Sequence, residues 1–499
     1  MTLGRVLIAN RGEIAIRIAR ACRESGIESV AVYSEADRDS AHVRAADLAV
    51  PIGAAAPSQS YLSIPTIIAA ARSVGCDAVH PGYGFLSENA AFARACTEAG
   101  LIFVGPPAEV IEHMGSKVAA RALMMQAGVP VVPGVTPADQ SDHGVLTAAE
   151  KVGFPVLVKA SAGGGGKGMR VVRDAASAAS LVAAARREAN AAFADGTLYV
   201  ERLIDRPRHV EMQVFGDIHG HVVHLFEREC SIQRRHQKVI EESPSTALTP
   251  GLRNAMGEAA VAAARAARYV NAGTIEFLIE EAGGSARFYF LEMNTRLQVE
   301  HPVTEAVTGV DLVRAQFAVA SGEELPWTQS DLTQRGHAIE CRVYAEDPTN
   351  GFLPQAGPLL LYREPAAPGV RIDSGVVEGG SVPVHYDPLL AKVTALAESR
   401  PAAIARMVAA LRRFPILGIR TNLAFLIRVL EHPDFGAGRL HTGFIDEHAE
   451  ALLTPREAPP EAFAAAVSGV PPLRSTSSDF SASSPASADP WTTIRAWGR

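Results

Sequence analysis

Residues 155–172 read PVLVKASAGGGGKGMRVV, in which two apolar runs flank four consecutive glycines. The runs at 155–159 and 169–172 predict the two strands of a hairpin. Because glycine has no Cβ, backbone N–H groups of the loop can approach an anion closely, and Lys167 adds a positive charge. Gly168 stands where a P-loop needs Ser or Thr, and no helical pattern begins there. We therefore predict a hairpin that closes over phosphates, with a mobile surface loop as the alternative.

A second strand pair is predicted downstream, where residues 288–296 read FYFLEMNTR and alternate with period two. The predicted faces are Glu292, Asn294 and Arg296 on the polar side, and Leu291 and Met293 on the other side. The segment AGGS at 282–285 suits a hairpin turn, which would bring Glu276 of the preceding strand beside Glu292. Two carboxylates and an amide oxygen are ligands that suit Mg²⁺, whereas a solvent-facing sheet is the alternative.

Residues 227–242 read ERECSIQRRHQKVIEE, a run dense in charges of both signs. Its cations suit triphosphate or bicarbonate, although charge runs are more often salt-bridged surface segments; they are Arg234, Arg235, His236 and Lys238. Upstream, a strand predicted at 209–215 presents His209, Glu211 and Gln213 on one face. Past the acidic strand, Glu300 is a candidate base and Arg296 a candidate holder of a small anion.

The first 113 residues alternate strands and helices, which predicts a parallel sheet covered on both faces. Strands are predicted at 6–9, 30–33, 78–80 and 102–104, with a helix beginning at Gly12. This pattern indicates a Rossmann-type domain. The segment NRG has one glycine where a GxGxxG fingerprint has three, so dinucleotide binding is not expected.

Composition excludes several classes of protein. The 499 residues, 47% of them hydrophobic, suit a globular protein of about three domains. A formal net charge of −7 argues against nucleic-acid binding. Five scattered cysteines without a CxxC pair favour a reducing compartment. The N-terminus has no apolar signal core and no run is long enough to span a bilayer, so we expect a cytoplasmic protein without a membrane partner.

Six strings occur in the order typical of the biotin carboxylase family, within the ATP-grasp superfamily, and the chain resembles that family over roughly residues 3–447. They are IANRGEIAIRI (8–18), HPGYGFLSEN (80–89), KASAGGGGKGMR (159–170), ERECSIQRRHQKVIEE (227–242), EMNTRLQVEHPVTE (292–305) and CRVYAEDP (341–348). The resemblance implies an α/β and α+β multidomain fold. Its parts are a Rossmann-like domain (1–113), an ATP-grasp region (114–330) with a mobile lid at about 131–203, a biotin carboxylase C-terminal region (331–448) and a Pro/Ala/Ser-rich linker or tail (449–499).

The resemblance also implies roles for individual residues. Contacts to ATP are implied for Lys117, Lys159, Gly165, Gly166, Glu201, Leu203, His209, Gln233 and His236. Mg²⁺, or Mn²⁺ in its place, is implied for Glu276, Glu292 and Asn294. Bicarbonate contacts are implied for Lys238, Arg296, Gln298 and Val299. Glu300 matches the general base, Arg342 the arginine near the biotin ureido oxygen, and Tyr83 a tyrosine of the biotin pocket.

The implied activity is that of a ligase forming ADP, phosphate and N-carboxybiotin through carboxyphosphate, the first half-reaction of an acyl-CoA carboxylase in fatty acid metabolism. None of the nine methionines is followed by lysine, so the Met-Lys-Met setting of a biotinylated lysine is missing from the sequence. Biotin is therefore expected on a carrier from another chain, with a carboxyltransferase and a homodimer or larger assembly as further partners. Two alternatives stay open: another ATP-grasp carboxylate–amine ligase, or a catalytically silent assembly subunit.

Overall fold

The computed structural model describes residues 3–161, 168–282 and 284–454, with two further positions, Pro460 and Ala464. The described residues up to Thr454 form one compact unit. The predicted glycine loop at 162–167 and almost all of the predicted tail lie outside the described residues.

The N-terminal part alternates strands and helices as expected. Its elements are β1 (Arg5–Ile8), α1 (Gly12–Glu24), β2 (Glu28–Tyr33), α2 (Ala41–Ala45), β3 (Leu48–Pro51), α3 (Ile64–Ser73), β4 (Ala78–His80), α4 (Ala90–Glu98), β5 (Ile102–Phe103) and α5 (Ala108–Gly115). The five strands pair in parallel in the order β3-β2-β1-β4-β5, so the predicted parallel sheet is confirmed. The strand order reverses beside β1, and the start of α1 therefore lies at a crevice where this class of sheet binds ligands.

The predicted lid region has its own small sheet and core. Its elements are α6 (Lys117–Gln126), β6 (Gly134–Val135), α7 (Asp142–Val152), β7 (Val156–Ala160), β8 (Arg170–Val172), α8 (Ala175–Phe193) and β9 (Leu198–Arg202). The strands are antiparallel in the order β6-β9-β7-β8, and α7 and α8 cover the apolar side. Pairing of Val156 with Val172 confirms the hairpin predicted around the glycine loop.

The rest of the chain builds one large sheet and a helical cover. Its elements are β10 (Arg208–Gly216), β11 (Val222–Arg234), β12 (Gln237–Ser243), α9 (Pro250–Ala266), β13 (Asn271–Ala282), β14 (Ser285–Asn294), α10 (His301–Thr308), α11 (Leu312–Ala320), β15 (His337–Tyr344), β16 (Glu346–Asp347), β17 (Leu353–Pro354), β18 (Gly357–Pro358), β19 (Leu361–Tyr362), β20 (Val370–Ser374), β21 (Ser381–Val382), β22 (Leu389–Ala397), α12 (Arg400–Arg412), β23 (Ile416–Leu417), α13 (Leu423–Glu431), α14 (Pro433–Gly436), α15 (Phe444–Glu447) and α16 (Ala449–Leu453).

Eight of these strands form one antiparallel sheet in the order β14-β13-β10-β11-β12-β15-β22-β20. Because β12 pairs with β15, the hydrogen-bond ladder runs without a break across residue 330. The strands alternate with period two, so apolar side chains such as Met212 and Ile275 pack under α9 while polar ones face the other way. None of the helices in the described part of the chain is long and apolar enough to cross a membrane.

The prediction that Leu291 and Met293 share one face of β14 was wrong. Glu276 pairs with Glu292 but Phe277 pairs with Phe290, so Leu291 is the extra residue of a β-bulge. The bulge resets the alternation, and Met293 shares the apolar core with Phe290 rather than with Leu291. A bulge adds one residue to one strand only, so period-two reading of β14 alone cannot reveal it.

The charged run at 227–242 differs from a salt-bridged surface segment. It continues β11 past the predicted end at 226, turns at Arg235 and His236, and returns as β12. Both turn residues have positive φ (49° and 67°), the geometry of a two-residue hairpin turn. Its first charged residues are buried and each has a partner of opposite charge: Glu227 pairs with Arg253 of α9, Arg228 with Glu211 of β10, and Glu229 with Arg208 of β10.

In the N-terminal sheet, strand β3 was not predicted from the sequence.

The N-terminal part contains a buried ion pair that gives a testable pH dependence. Asp37 accepts hydrogen bonds from Arg11 (Nε and Nη2, both 2.7 Å) and from the Tyr61 hydroxyl (2.7 Å). Burial raises the pKa of the Asp37 carboxyl, but these donors hold it below its ordinary value. Asp37→Asn is expected to cost about 3 kcal/mol of stability at pH 7, because Arg11 loses its charged partner.

The stabilisation from Asp37 is present above its unfolded pKa of about 3.9 and is lost as the pH falls through the lower folded value. Thermal unfolding of Asp37→Asn and wild type should therefore differ clearly at pH 7 and converge towards pH 3. Asp205→Asn is the control, because its pair with Arg173 is exposed and 4.0 Å long. A difference that grows as the pH falls would contradict this assignment.

Candidate active site

A row of charged side chains crosses the polar face of the large sheet. Glu292, Glu276 and Glu211 lie directly opposite one another on β14, β13 and β10, and Arg228 of β11 continues the row. The predicted pairing of Glu276 with Glu292 is thus confirmed. Arg228 is fully buried and donates to Glu211 (2.5 Å) and to Gln213 (2.7 Å), so two polar residues of β10 share one cation.

Lys238 of β12 is the centre of this arrangement. Its Nζ lies 2.5 Å from Glu211, 2.8 Å from Glu276 and 2.6 Å from Glu300. Burial lowers the pKa of Lys238, but the three carboxylates hold it well above its ordinary value. A permanently charged ammonium surrounded by acceptors is suited to holding a small anion once one carboxylate turns away.

Glu300 is buried at the N-cap of α10 and touches two cations. One oxygen accepts from Lys238 (2.6 Å), and the other accepts from Arg342 Nη2 (3.0 Å). Burial raises the pKa of Glu300, but Lys238 and Arg342 hold it well below its ordinary value. Glu300 is therefore a carboxylate at neutral pH, the state that a general base needs.

Arg342 reaches the site from β15 and is held between two glutamates. Its Nε donates to Glu241 (2.6 Å), while Nη2 contacts Glu300 (3.0 Å). Burial raises the pKa of Glu241 to about 7 against the opposing charge of Arg342. The guanidinium is thus fixed along one edge, as a donor aimed at a substrate oxygen requires.

Arg296 lies two residues beyond the end of β14 and still reaches the polar face. It donates from Nε to Glu88 (2.8 Å) and from Nη1 to Gln298 (3.0 Å). Glu88 also accepts from the Thr295 backbone N–H (3.1 Å), so one carboxylate orients both the backbone and the guanidinium. The string HPGYGFLSEN contains Glu88 and thereby orients Arg296, the candidate anion-binding arginine, from a distant part of the chain.

The paired carboxylates on β13 and β14 form an oxygen-rich corner. Glu276 accepts from Asn294 (2.8 Å) and lies 3.0 Å from His209 Nε2. The Glu292 carboxylate accepts no hydrogen bond from the described residues, and burial and the charge of Glu276 both raise its pKa. Two adjacent carboxylates, one without a donor, plus an amide oxygen fit a divalent hard cation such as Mg²⁺.

Two lysines lie beside this corner at the base of the glycine loop. Lys159 Nζ is 3.0 Å from Glu201, and burial lowers the pKa of Lys117 against the opposing charge of Glu292. The Lys117 N–H donates to the Ser161 carbonyl (3.1 Å), directly before the loop. Ser161, the last described residue before 162–167, therefore lies next to Lys117.

A cavity of about 540 Å³ opens over the polar face. The predicted site residues that line it are Tyr83, His209, His236, Lys238, Glu276, Glu292, Asn294, Arg296, Gln298, Val299 and Arg342. Lys117, Lys159, Glu201, Leu203, Gln233 and Glu300 are not among its lining residues. Of these, Gln233 pairs with Lys238 across the hairpin, and the Leu203 N–H bonds the Pro155 carbonyl (3.1 Å). Gly165 and Gly166 lie outside the described residues.

Sequence reasoning missed several residues of the cavity and of the layer beneath it. They are Asn10, Arg11, Glu13, Phe85, Glu88, Arg228, Glu241, Tyr344, Tyr386, Asp387 and Lys392. One signal was available for Lys392, the lone charge in the apolar run LLAKVTALA. Glu211 was placed correctly on a polar face but was given no role.

Sequence profiles of three domain families match most of the chain. They are the biotin carboxylase N-terminal domain (residues 2–111), the ATP-binding domain of the carbamoyl-phosphate synthase L chain (116–328) and the biotin carboxylase C-terminal domain (340–447). Among curated proteins, a biotin carboxylase of Halalkalibacterium halodurans is 51% identical over 89% of this chain and 97% of its own length. Mouse methylcrotonoyl-CoA carboxylase subunit alpha is also 51% identical, and the chain spans 63% of its length.

Solved structures give the same result. The biotin carboxylase domain of Hydrogenobacter thermophilus 2-oxoglutarate carboxylase, a dimer in complex with MgADP, ADP and bicarbonate, is similar with a TM-score of 0.88 and 44% identity. The match covers 92% of this chain and 100% of that domain. Biotin carboxylase of Campylobacter jejuni, in a β,γ-ATP complex, has a TM-score of 0.87 at 45% identity, and the match covers 89% of this chain and 99% of that one. The predicted fold class and resemblance are confirmed, and the chain belongs to the biotin carboxylase family of ATP-grasp ligases.

Proposed function

We propose that this chain carboxylates biotin with ATP and bicarbonate, releasing ADP and phosphate. The observation that carries the proposal is the position of Lys238. Its ammonium contacts the candidate base Glu300 and the candidate metal ligand Glu276 at once, within 2.6 Å and 2.8 Å. An anion held there would lie between the candidate base and the residues that would hold the metal, which is the juxtaposition that bicarbonate activation needs.

In the first step, Lys238 and Arg296 hold bicarbonate by charge, together with Gln298 and Val299. Glu300 takes the bicarbonate proton, and the freed oxygen attacks the γ-phosphorus of ATP. The bond to the β-bridging oxygen breaks, giving carboxyphosphate and ADP. Glu276, Glu292 and Asn294 would hold Mg²⁺ or Mn²⁺, which offsets charge on the phosphate oxygens.

In the second step, carboxyphosphate breaks into CO₂ and phosphate, and the phosphate removes the proton from biotin N1. The nitrogen then attacks CO₂ to form N-carboxybiotin. Arg342 stabilises the negative charge that develops on the ureido oxygen, because Glu241 aims its guanidinium into the cavity. Tyr83 lines the same cavity next to the N-terminal crevice and forms one wall of the proposed biotin pocket.

The remaining assignments complete the nucleotide site. The proposed ATP contacts are Lys117, Lys159, Gly165, Gly166, Glu201, Leu203, His209, Gln233 and His236. In this scheme residues 1–113, 114–330 and 331–448 act as N-terminal domain, ATP-grasp region and C-terminal region, and 131–203 is the lid. Closure of the lid would exclude water, which otherwise hydrolyses carboxyphosphate.

The proposal also names partners and a compartment. Biotin would arrive on a carrier protein or domain, and a carboxyltransferase would pass the carboxyl group to an acyl-CoA. A homodimer is included because a relative of similar structure is a dimer. Five free, buried cysteines suit a reducing compartment such as the cytoplasm.

The direct test is an ADP-release assay with free biotin and Mg·ATP, in which bicarbonate and biotin are each omitted in turn. We expect release to require bicarbonate and to increase when biotin is added, with N-carboxybiotin as product. Replacing biotin by amines or amino acids tests the alternative of a carboxylate–amine ligase. Release that is indifferent to bicarbonate and biotin would refute the proposal.

A further inference from the structure

Lys392 is a charged residue that the proposed mechanism leaves unused. It lies on β22 with no exposed surface and is the only charged residue of that strand. Its Nζ donates to the Val299 carbonyl (2.8 Å) and lies 5.8 Å from the centre of the Tyr83 ring. One buried ammonium therefore contacts both the peptide proposed to bind bicarbonate and the ring proposed to bind biotin.

Glu13 forms an ion pair with this lysine, which also faces the carboxylates of Glu340 and Asp373. One carboxylate oxygen of Glu13 lies 3.2 Å from Lys392 Nζ and accepts the Tyr83 hydroxyl proton in a short hydrogen bond. Glu13 lines the cavity from the first turn of α1 and is almost fully buried. Burial raises its pKa to about 7 against the opposing charge of Lys392. The tyrosine ring is thus fixed at its hydroxyl by Glu13 and along its face by Lys392.

The backbone brings the two partners together. Gly375, directly after β20, packs on the start of α1, where an added Cβ would meet the Glu13 nitrogen at 2.7 Å and the Gly12 Cα at 3.0 Å. Only glycine allows the C-terminal region to approach the helix this closely. The pair thus joins parts of the molecule that are far apart in sequence, immediately beneath the cavity wall.

We infer that Glu13 and Lys392 form a buried positioning pair that fixes Tyr83 and the Val299 carbonyl, and so sets the affinity for biotin and bicarbonate. The inference rests on the proposed function. Neither residue touches the reacting atoms in it. Glu13 acts through the Tyr83 hydroxyl on the biotin side, and Lys392 acts on both sides.

The test compares KM values with stability in Glu13→Gln, Lys392→Met and the double variant. Lys392→Met is expected to raise the KM for biotin about tenfold and to raise that for bicarbonate, with the KM for ATP within about twofold of wild type. Glu13→Gln should raise mainly the KM for biotin. Lys392→Met should unfold at a lower temperature, since it leaves the buried Glu13 carboxylate without its partner.

The double variant separates positioning from stability. It removes both charges, so its unfolding temperature should recover while its KM for biotin stays high. Recovery of both would overturn the inference, as would an unchanged KM in Glu13→Gln. Arg253→Met is the matched control, because it deprives the buried Glu227 of its arginine and should lower stability without changing any KM.

A second cycle tests the route through the tyrosine. Adding Glu13→Gln to Tyr83→Phe should change the KM for biotin little, because the hydroxyl on which Glu13 acts is already gone. Fully additive effects would overturn that route. Wild-type protein without biotin-dependent ADP release would refute the proposed function itself, whereas active wild type with an unaffected Glu13→Gln variant overturns only the positioning pair.

Discussion

Replacing Glu300 by glutamine is expected to lower the kcat of biotin carboxylation about 10³-fold, with the fold retained. Glutamine keeps the shape of the side chain but cannot accept the bicarbonate proton. The carboxylate has no exposed surface and touches both Lys238 and Arg342, so water cannot easily replace it as the base. Steady-state ADP release and circular dichroism of the purified variant check the two halves of this expectation.

Glu227→Gln is the control for Glu300→Gln. Glu227 is equally buried and is also paired with an arginine, Arg253, at 2.8 Å. It lies outside the cavity lining, so its loss should reduce stability and leave kcat within about threefold of wild type. A Glu300→Gln variant that turns over as fast as this control would remove Glu300 from the mechanism.

Glu292→Gln is expected to weaken the Mg²⁺ binding on which activity depends, without lowering the stability of the fold. The Mg²⁺ concentration for half-maximal activity should rise about 100-fold, because the variant lacks one of two adjacent carboxylate ligands. The unfolding temperature without metal should stay the same or rise. Burial and Glu276 raise the pKa of Glu292, so its ionised form destabilises the fold above its unfolded pKa, and this cost disappears in the variant.

Thermal unfolding at pH 7 and a Mg²⁺ titration of ADP release measure these two effects. Glu281→Gln lies on the same strand as Glu276 but is more than half exposed, and it should change neither quantity. A lower unfolding temperature in Glu292→Gln, or an unchanged Mg²⁺ requirement, would show that this carboxylate has a structural role instead.

The parts of the site that follow strand periodicity could be predicted from the sequence. Alternation on β14 and a glycine turn placed Glu276 within reach of Glu292, and the bulge at Leu291 sets the two directly opposite each other. The same reasoning put His209 and Glu211 on one face, where both now lie near Lys238 or Glu276. Local patterns carry this information because side chains two residues apart on a strand must share a face.

The parts that depend on contacts between distant segments could not be predicted in this way. Glu13 meets Lys392, and Glu88 meets Arg296, only because separate elements pack against each other. Leu291 shows a second limit, because a bulge depends on which partner strand is present and in which register. Arg342 was predicted as a site residue only from the family resemblance, because the string CRVYAEDP by itself gives no physical reason for a catalytic role.

The unbroken ladder of eight strands has a consequence for dissecting this molecule. The proposed metal ligands lie on β13 and β14, the proposed bicarbonate-binding lysine lies on β12, and the proposed biotin-site arginine lies on β15, beyond residue 330. A cut there would expose two long, unpaired strand borders, which readily pair with those of other molecules. The chemistry therefore cannot be divided into independently expressed halves at that point, and a transplant into another protein must carry the whole sheet.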